Sequence, residues 1–447
     1  MAGGASSEAA EGKKGAAPPR PAGRARDALV FAAGVAAAVL ALALLGPASS
    51  ALAPGRGLVA FPVPGPADGP RTFYDDPELS YEAVGGRRVA GWDAKRAAWL
   101  RSRGLLGGGG RHRVRERVVM VSGSQPEPCR GPGGDHLLLR FLKNKVDYCR
   151  LHGVELLYNN ALLEPSMAAY WAKIPAVRAA MLAHPEAEWV WWVDADAVFT
   201  DMDFSLPLAK YAAYNLVLYG WPKEVYERRR WLGLNAGVFL IRNCQWSLDF
   251  LDEWARMGPA SPDYAAWGKT IKAALSDRDS DVACDQSALA YLLLANRERW
   301  GDKTYLGTDY YFQGYFAEIV GKLRGVAARY EAAERAAGPG LRRRHAEREH
   351  LAYAAARNAA VRAAVPGPDG GGQRGWRRPF VTHFTGCNPC GGRRNPMYSR
   401  ELCDGGMRRA LGFADDQVLR AYGFRHAAPL NDTVLPLPFD YPAARNR

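Results

Sequence analysis

Two carboxylates separated by one residue are the strongest chemical signal in this chain of 447 residues. Asp194 and Asp196 directly follow a very apolar run at 189–193. In a non-helical turn both carboxylates can face one cation, and their hard oxygen atoms favour Mg²⁺ or Mn²⁺. Such a cation reverses the local charge and lets a diphosphate bind. The pair therefore predicts a metal-dependent diphosphate site, against the alternative of two aspartates that cap the next turn.

Three other motifs place polar side chains next to predicted strands or helices. His383 ends an apolar run and is followed by small residues, so its imidazole and the nearby backbone N–H groups suit a phosphate. The alternative is a histidine satisfied within the core. Asn235 precedes one predicted strand, and Asp285 and Gln286 precede a predicted helix at 288–295. A turn and a helix N-cap are the structural alternatives for these two motifs.

The elements that must position these groups alternate between strand and helix. Short apolar runs predict strands at 118–121, 154–158 and 189–193, and helical spacing predicts helices around 138–149 and 171–184. This alternation predicts an α/β fold with a mainly parallel sheet that is covered on both faces. Ligands bind such sheets beyond the carboxyl ends of the strands, which is where the aspartate pair lies.

The second half of the chain continues the same domain. Further strands are predicted at 215–218 and 237–241, and the Ala-, Arg- and Glu-rich segment 319–364 is predicted to be helical. A turn-rich break follows at 366–375. No internal repeat is visible, so we interpret residues 116–447 as one globular domain.

The N-terminal part of the chain has a different composition. Residues 1–27 are rich in Ala, Gly, Pro and basic residues, which is typical of a disordered tail. Residues 28–45 carry no charge, and at ~1.5 Å per residue they span about 27 Å, enough for one membrane anchor. A cleaved signal peptide and a buried helix are the alternatives. The Pro- and Gly-rich segment 46–115 predicts a flexible stem, and the basic tail predicts that the tail is cytoplasmic and the body lumenal.

Composition and cysteine content agree with a lumenal globular body. Basic residues number 59 and acidic residues 46, which gives a formal net charge of +13. The basic residues are dispersed and no nucleic-acid-binding motif is present, so an anionic nucleotide-sugar explains the charge better than nucleic acid. Seven cysteines allow up to three disulfides in an oxidising lumen, with the connectivity open. Asn431 begins an N-glycosylation sequon.

Together these motifs resemble plant glycosyltransferase family 34, whose members include xyloglucan xylosyltransferases and galactomannan galactosyltransferases. The resemblance covers about residues 116–426. The stretches that carry it are 121–126, 134–136, 144–153, 191–196, 233–235, 285–288, 382–387 and 413–419. It implies a GT-A-type, Rossmann-like single domain that is anchored in the Golgi membrane as a single-pass type II protein. It also implies transfer of a sugar from a UDP donor to a β-1,4-linked glycan with retention of configuration.

The resemblance also assigns roles to individual residues. Asp194 and Asp196 are implied to hold Mn²⁺ together with the UDP diphosphate, with His383 as the third protein ligand. The residues implied to line the nucleotide are Gly123, Ser124, Gly386 and Asn388. Those implied to face the transferred sugar or the acceptor, and hence to be catalytic, are Asn235, Asp285 and Gln286.

Two departures from the family pattern bear on the reaction rate. Cys284 stands where the family commonly has an aspartate before Asp285, and Asn388 stands where the xylosyltransferase branch has a lysine. Of the two routes to retention, a covalent intermediate on Asp285 and same-face attack guided by the leaving phosphate, we favour the second. Trp221 and Trp231 are predicted either to stack on acceptor sugars or to pack in the core.

The choice of substrate follows from three branch-specific features. The basic helical insertion at 340–347, Thr385 and the ending at 435–440 look like the galactomannan galactosyltransferase side of the family. We therefore expect UDP-galactose as donor and a β-1,4-mannan acceptor. The alternatives are a xylosyltransferase that uses UDP-xylose and a glucan, and a weakly active partner subunit in a Golgi homo- or hetero-oligomer with related glycosyltransferases.

Overall fold

A six-stranded sheet forms the centre of the computed structural model. In sequence order the strands are β1 (Val118–Gly123), β2 (Glu155–Asn159), β3 (Trp189–Val193), β4 (Ala197–Phe199), β5 (Leu216–Gly220), β6 (Leu234–Arg242), β7 (Thr304–Gly307), β8 (Gly314–Tyr315), β9 (Val381–His383), β10 (Phe424–His426) and β11 (Val434–Pro436). The α-helices are α1 (Trp92–Ser102), α2 (Gly134–His152), α3 (Lys173–Ala183), α4 (Gln245–Ala255), α5 (Tyr264–Ala274), α6 (Asp285–Ala295), α7 (Phe316–Ile319), α8 (Leu323–Ala336) and α9 (Gly406–Tyr422).

All of these elements belong to one compact unit, Asp68–Arg447. The structure describes residues 76, 79, 88–105, 117–131, 133–336, 355, 359, 378–391, 394–428 and 433–436. Among these residues, no helix combines the length and the apolar character needed to cross a membrane. The predicted tail at 1–27, the anchor at 28–45, the break at 366–375 and the sequon residue Asn431 lie outside the described residues.

The central sheet has the strand order β2-β1-β3-β6-β5-β7. β1 is parallel to β2 and β3, and β5 is parallel to β7, whereas β6 runs antiparallel to both of its neighbours. The predicted α/β class is confirmed, and the sheet is mixed, with one reversed strand among parallel ones. The reversal arises because residues 221–233 join the neighbouring β5 and β6 through a π-helical turn and a 3-10 turn, without the crossover α-helix that parallel neighbours need.

Strand β3 is buried on both faces because its residues alternate between two hydrophobic cores. Val190 and Trp192 pack into the core that α3, α4 and α6 cover. Trp191 and Val193 point to the other face, which α2, α7 and α9 cover. Aromatic and β-branched residues suit such a doubly covered strand, and the period of two sends them to opposite sides.

A second, three-stranded sheet lies beside the carboxyl edge of β3, in the order β4-β9-β8. β4 is antiparallel to β9, and β8 is parallel to β9. Only β9 was predicted, because His383 ends an apolar run there, whereas β4 directly follows the aspartate pair and β8 has only two residues. This small sheet connects the aspartate turn to the distant His383, because Ala197 pairs directly with His383.

Residues 88–105, part of the segment predicted to be a stem, are described by the structure and contain α1. Helix α1, within the predicted stem at 46–115, packs against the domain through the buried Trp92. The Trp92 indole donates to Asn243 Oδ1 at 2.8 Å, and Arg96 donates to the Pro185 carbonyl at 2.6 Å. The helix was not predicted because α1 has no apolar stripe; its docking depends on these few anchoring contacts.

Candidate active site

The aspartate pair lies in a tight turn between β3 and β4. The backbone N–H of Asp194 donates to the Gly237 carbonyl at 2.8 Å, and the N–H of Ala197 donates to the Asp194 carbonyl at 3.1 Å. The Asp196 carbonyl accepts from the N–H of Phe384 at 3.2 Å. The turn is therefore fixed on one side by β6 and on the other by the segment that follows His383.

Strand pairing brings His383 to the two carboxylates from 187 residues downstream of Asp196. His383 Nε2 lies 3.2 Å from Asp196 Oδ1 and 3.5 Å from Asp194 Oδ2. One ligand atom from each residue lies within 4.8 Å of the other two. Two carboxylates and one imidazole at this spacing can share one divalent cation.

Gly237 leaves the space in which the three groups meet. A Cβ atom at this position would lie 2.2 Å from His383 Cε1 and 2.7 Å from Asp194 Oδ2. Movement of these atoms is restricted, since His383 is buried and the Asp194 carboxylate is held through Oδ1 by Lys173 and Trp192. Any side chain at 237 would therefore break the cluster.

A buried lysine joins the aspartate pair to Asp285. Lys173 Nζ lies 2.7 Å from Asp285 Oδ2 and 3.3 Å from Asp194 Oδ1, and it donates to the Ala236 carbonyl at 3.0 Å. Burial acts to lower the pKa of Lys173, but the two aspartates outweigh burial and raise this pKa. Lys173 therefore stays charged and holds Asp194 Oδ1, which leaves Oδ2 directed towards His383.

The remaining pKa shifts follow from burial and from the neighbouring charges. Burial raises the pKa of Asp194. Burial also acts to raise the pKa of Asp196, but His383 and Lys145 outweigh it, so this pKa is lowered. Burial acts to lower the pKa of His383, but Asp196 outweighs it and raises this pKa. The charges at the site are thus mutually compensated, with carboxylates and buried cations side by side.

Gln313 orients the imidazole of His383. Its side chain is buried, and its amide nitrogen lies 3.1 Å from His383 Nδ1. A 180° rotation of the amide exchanges its oxygen and nitrogen, so Gln313 can also accept a hydrogen bond from Nδ1–H. In that arrangement the Nε2 lone pair of His383 is free to bind a metal.

The predicted sugar-facing residues surround the start of β6. Asn235 Oδ1 accepts from the N–H of Gly237 at 2.7 Å, and Gln286 Oε1 accepts from the N–H of Ala236 at 3.3 Å. Asp285, the first residue of α6, is 6% exposed and held by Lys173. The structure thus places all three predicted residues next to the aspartate cluster, with Asn235 and Gln286 bonded to the backbone there.

The predicted nucleotide-lining residues lie in two loops. Gly123 ends β1, where a Cβ would lie 2.3 Å from the Asn159 carbonyl oxygen, and the Ser124 N–H donates to that same oxygen at 3.1 Å. Gly386 and Asn388 follow β9, and both have left-handed backbone angles, with φ of +80° and +45°. The two loops are joined covalently by a disulfide, so they move as one unit.

All seven cysteines lie among the described residues, and four of them form disulfides. Cys129 pairs with Cys390, and Cys387 pairs with Cys403. The other three, Cys149, Cys244 and Cys284, are free thiols. Cys284 is the N-cap of α6, where its side chain accepts from the N–H of Ser287. An aspartate at this position would serve the same capping role, so the departure from the family pattern at 284 leaves the helix start intact.

Sequence reasoning missed Lys173 and Gln313 as parts of the site, and it noted Lys145 only within a motif. Lys173 had a signal, since it is a lone charge at the start of an apolar helix. No feature of the sequence marks Gln313, because it reaches His383 only through the pairing of β8 with β9.

The comparisons with known proteins agree with this geometry. Residues 114–394 match the model of the galactosyl transferase GMA12/MNN10 family. The chain is 66% identical over 454 residues to probable glycosyltransferase 6 of Oryza sativa subsp. indica, covering 95% of this chain and 93% of that protein. It is 51% identical over 374 residues to galactomannan galactosyltransferase 1 of Cyamopsis tetragonoloba, covering 83% of this chain and 82% of that protein.

Proposed function

The chain belongs to the galactosyl transferase GMA12/MNN10 family and is a glycosyltransferase, and we propose that it adds α-galactosyl side chains from UDP-galactose to a β-1,4-mannan. The observation that carries the proposal is the cluster of Asp194, Asp196 and His383 at the carboxyl edge of the sheet. The identity of 51% to a galactomannan galactosyltransferase supports this donor and acceptor. The mixed α/β sheet supports the GT-A type of fold.

The donor set fits a divalent cation, for which we propose Mn²⁺. Asp194 Oδ2, Asp196 Oδ1 and His383 Nε2 converge, and the bare backbone at Gly237 leaves the room between them. When bound, the ion supplies positive charge that stabilises the departing diphosphate of UDP. The loops that carry Ser124 and Gly386 then hold the nucleotide.

Lys173 and Asp285 set the charge around the transferred galactose. The close ion pair between them directs one oxygen of Asp285 to the lysine. A carboxylate neutralised in this way is a weaker nucleophile than a free one. This supports same-face attack with retention, in which Asp285 and Asn235 orient the sugar and the leaving phosphate accepts the proton of the acceptor hydroxyl.

Exposed apolar side chains at the carboxyl edge suit the acceptor. Tyr170, Trp221, Leu232 and Val282 are each 46–55% exposed. Trp221 directly follows β5, Leu232 lies in the 3-10 turn before β6, Tyr170 lies in the 3-10 turn before α3, and Val282 precedes the N-cap of α6. Burial raises the pKa of Tyr170 to about 12, and the charge of nearby Asp285 adds to the rise. Trp231 instead holds its indole on the Asp277 carbonyl at 3.0 Å, so Trp221 is the better platform for a sugar ring.

The full chain in detergent should release UDP from UDP-galactose when manno-oligosaccharide and Mn²⁺ are present, and NMR of the product should show an α linkage. A panel of UDP-galactose and UDP-xylose against manno- and cello-oligosaccharides separates the two substrate classes. Turnover of UDP-xylose onto the glucan alone would assign the xylosyltransferase alternative instead.

Trp221→Ala should raise the KM for manno-oligosaccharide about 3–10-fold, as expected for the loss of about 0.5–1.5 kcal/mol of stacking. The KM for the donor should not change. Leu139→Ala, at an exposed apolar residue on α2, is the control and should leave both constants unchanged. An unchanged acceptor KM in Trp221→Ala would remove this residue from the acceptor site.

The partner-subunit alternative makes a separate prediction. If Cys284 impaired catalysis, Cys284→Asp should raise the turnover of the isolated chain. Because Cys284 caps α6, we expect Cys284→Asp to stabilise the fold by about 0.5–1 kcal/mol and to leave kcat unchanged.

We place the enzyme in the Golgi membrane as a single-pass type II protein with a lumenal domain. The two disulfides support an oxidising compartment. A C-terminal fluorescent fusion should colocalise with a Golgi marker, and its tag should resist protease in intact vesicles. A protease-accessible tag would reverse the proposed topology.

A further inference from the structure

Strand β4, which follows the aspartate pair, has a backbone partner on one edge and side-chain partners on the other. Its first edge pairs with β9, which joins Ala197 to His383 and Phe199 to Val381. Its second edge faces helix α2, whose residues Asn144 and Lys145 are 5% and 0% exposed.

Asn144 replaces a neighbouring strand at one residue of β4. Its Nδ2 donates to the Phe199 carbonyl at 3.1 Å, and its Oδ1 accepts from the Phe199 N–H at 2.7 Å. A side-chain amide carries the same donor and acceptor as a peptide group, so it satisfies both backbone groups of this residue. The end of β4 is thereby fixed to α2.

Lys145 holds the backbone of the aspartate turn itself. Its Nζ donates to the Ala195 carbonyl at 3.0 Å and to the Ala197 carbonyl at 2.9 Å, on either side of Asp196. Burial lowers the pKa of Lys145 to about 8, with the charges of Asp196 and Asp194 acting in the opposite direction. Burying an ammonium group is costly, and an apolar side chain of similar volume would avoid that cost.

We propose that Asn144 and Lys145 are positioning residues, which hold the aspartate turn of β4 in the register that brings Asp196 against His383. This inference rests on the proposed metal site. It goes beyond that site by making the metal affinity depend on helix α2, which supplies none of the proposed ligands.

The direction in which one substitution changes the affinity for Mn²⁺ separates a positioning role from a purely electrostatic role. Lys145→Met keeps the length of the side chain and removes its charge and its donors. If Lys145 acted only through its charge, removal of a cation beside two aspartates would strengthen the binding of Mn²⁺. Positioning predicts the reverse, a dissociation constant for Mn²⁺ about 10–100-fold higher, as is typical when groups that orient metal ligands are lost.

The experiment is calorimetric titration of the full chain in detergent with Mn²⁺. Lys143→Met is the matched control, because it removes the same charge from an exposed position of the same helix. Its Mn²⁺ affinity should equal that of the wild type. Asn144→Asp, which replaces the donor to the Phe199 carbonyl with a carboxylate oxygen that repels it, should also weaken binding and is the second variant if Lys145→Met does not fold.

Three readouts keep the outcomes distinct. A wild-type chain that binds no Mn²⁺ would overturn the proposed metal site, whatever the variants do. A folded Lys145→Met or Asn144→Asp variant with unchanged or tighter Mn²⁺ binding would overturn the positioning role alone. In Lys145→Met, a higher KM for Mn²⁺ with turnover recovered at saturating Mn²⁺ would support positioning.

Discussion

The described part of the chain contains two clusters of two carboxylates and one imidazole, at opposite edges of the same sheet. One ligand atom from each residue of a cluster lies within 4.8 Å of the other two in both cases. Asp194, Asp196 and His383 lie at the carboxyl edge. The second cluster, which we call the amino-edge cluster, consists of Glu155, His184 and Glu186 at the other end of the strands.

The two clusters have the same kinds of donor atoms, but their surroundings differ. In the amino-edge cluster, Arg117 lies 3.0 Å from Glu155 and 3.7 Å from Glu186, so its guanidinium places a positive charge beside both carboxylates. His184 Nδ1 lies 3.0 Å from Glu186. The donor set is therefore already neutralised by a side chain of the protein.

In the cluster at the carboxyl edge, the cation Lys173 lies on one side of Asp194. Lys173 and the Trp192 indole both bond to Oδ1 of Asp194, at 3.3 and 2.6 Å. Oδ2 is left for the space beside His383 that the bare Gly237 provides. The comparison shows that two similar ligand sets differ in whether a counter-charge of the protein lies beside both carboxylates or on one side only, and only the second arrangement leaves space between the ligand atoms.

The largest expected effect is on activity. Asp196→Asn should lower turnover about 10³-fold, since loss of a metal ligand removes several kcal/mol of charge stabilisation and each ~1.4 kcal/mol is worth tenfold. Glu155→Gln, the same change of charge in the amino-edge cluster, should leave turnover unchanged. UDP release assays on the two folded variants measure both turnover values. Equal losses of turnover in the two variants would remove the distinction between the clusters.

The next effect is on stability and compares the two counter-ions. Lys173→Met leaves two aspartates without their buried partner, so it should lower the free energy of unfolding by about 3 kcal/mol. Arg117→Gln breaks an ion pair whose side chains are 51% and 42% exposed, so it should cost less than about 1 kcal/mol. Denaturant titration measures both values. Similar costs would mean that burial does not separate the two clusters.

The strands that could be predicted from the sequence are those marked by a run of apolar residues. β1, β2, β3, β5 and β6 were predicted within a few residues, because aromatic and β-branched runs mark buried strands. The direction of β6 was not predicted, since the apolar pattern carries no information on strand direction. The short β4 and β8 gave no pattern at all.

The same limit applies to the site. Asp194 and Asp196 were found because their spacing is local, and His383 because it ends an apolar run. The roles of Lys145 and Lys173 depend on which face of a helix meets which turn. That packing is decided by tertiary contacts, and no local spacing records it. The amino-edge cluster was missed for the same reason.

A smaller effect tests whether Arg117 is what keeps the amino-edge cluster from binding metal. In an Asp196→Asn background, Arg117→Gln should raise the affinity of this cluster for Zn²⁺ roughly fivefold, because a unit charge ~4 Å away in water is worth about 1 kcal/mol. Zn²⁺ titration with and without the added Glu155→Gln locates the site. An affinity that Arg117→Gln does not change would show that geometry, and not the counter-charge, disables the cluster.

The smallest expected effect is the pH dependence of the amino-edge cluster. The hydrogen bond to Glu186 raises the pKa of His184. A histidine with a raised pKa in the folded state stabilises the fold at pH values below its ordinary pKa, and that stabilisation is lost as the pH rises through the raised value. The loss of unfolding free energy in Glu186→Gln should therefore be larger at pH 5.5 than at pH 8, by less than about 1 kcal/mol because the pair is partly exposed. Urea titrations of both chains at the two pH values measure this difference. A loss that is equal at both pH values would mean that Glu186 acts through Arg117 alone, and the imidazole would then take no part in the charge balance of this cluster.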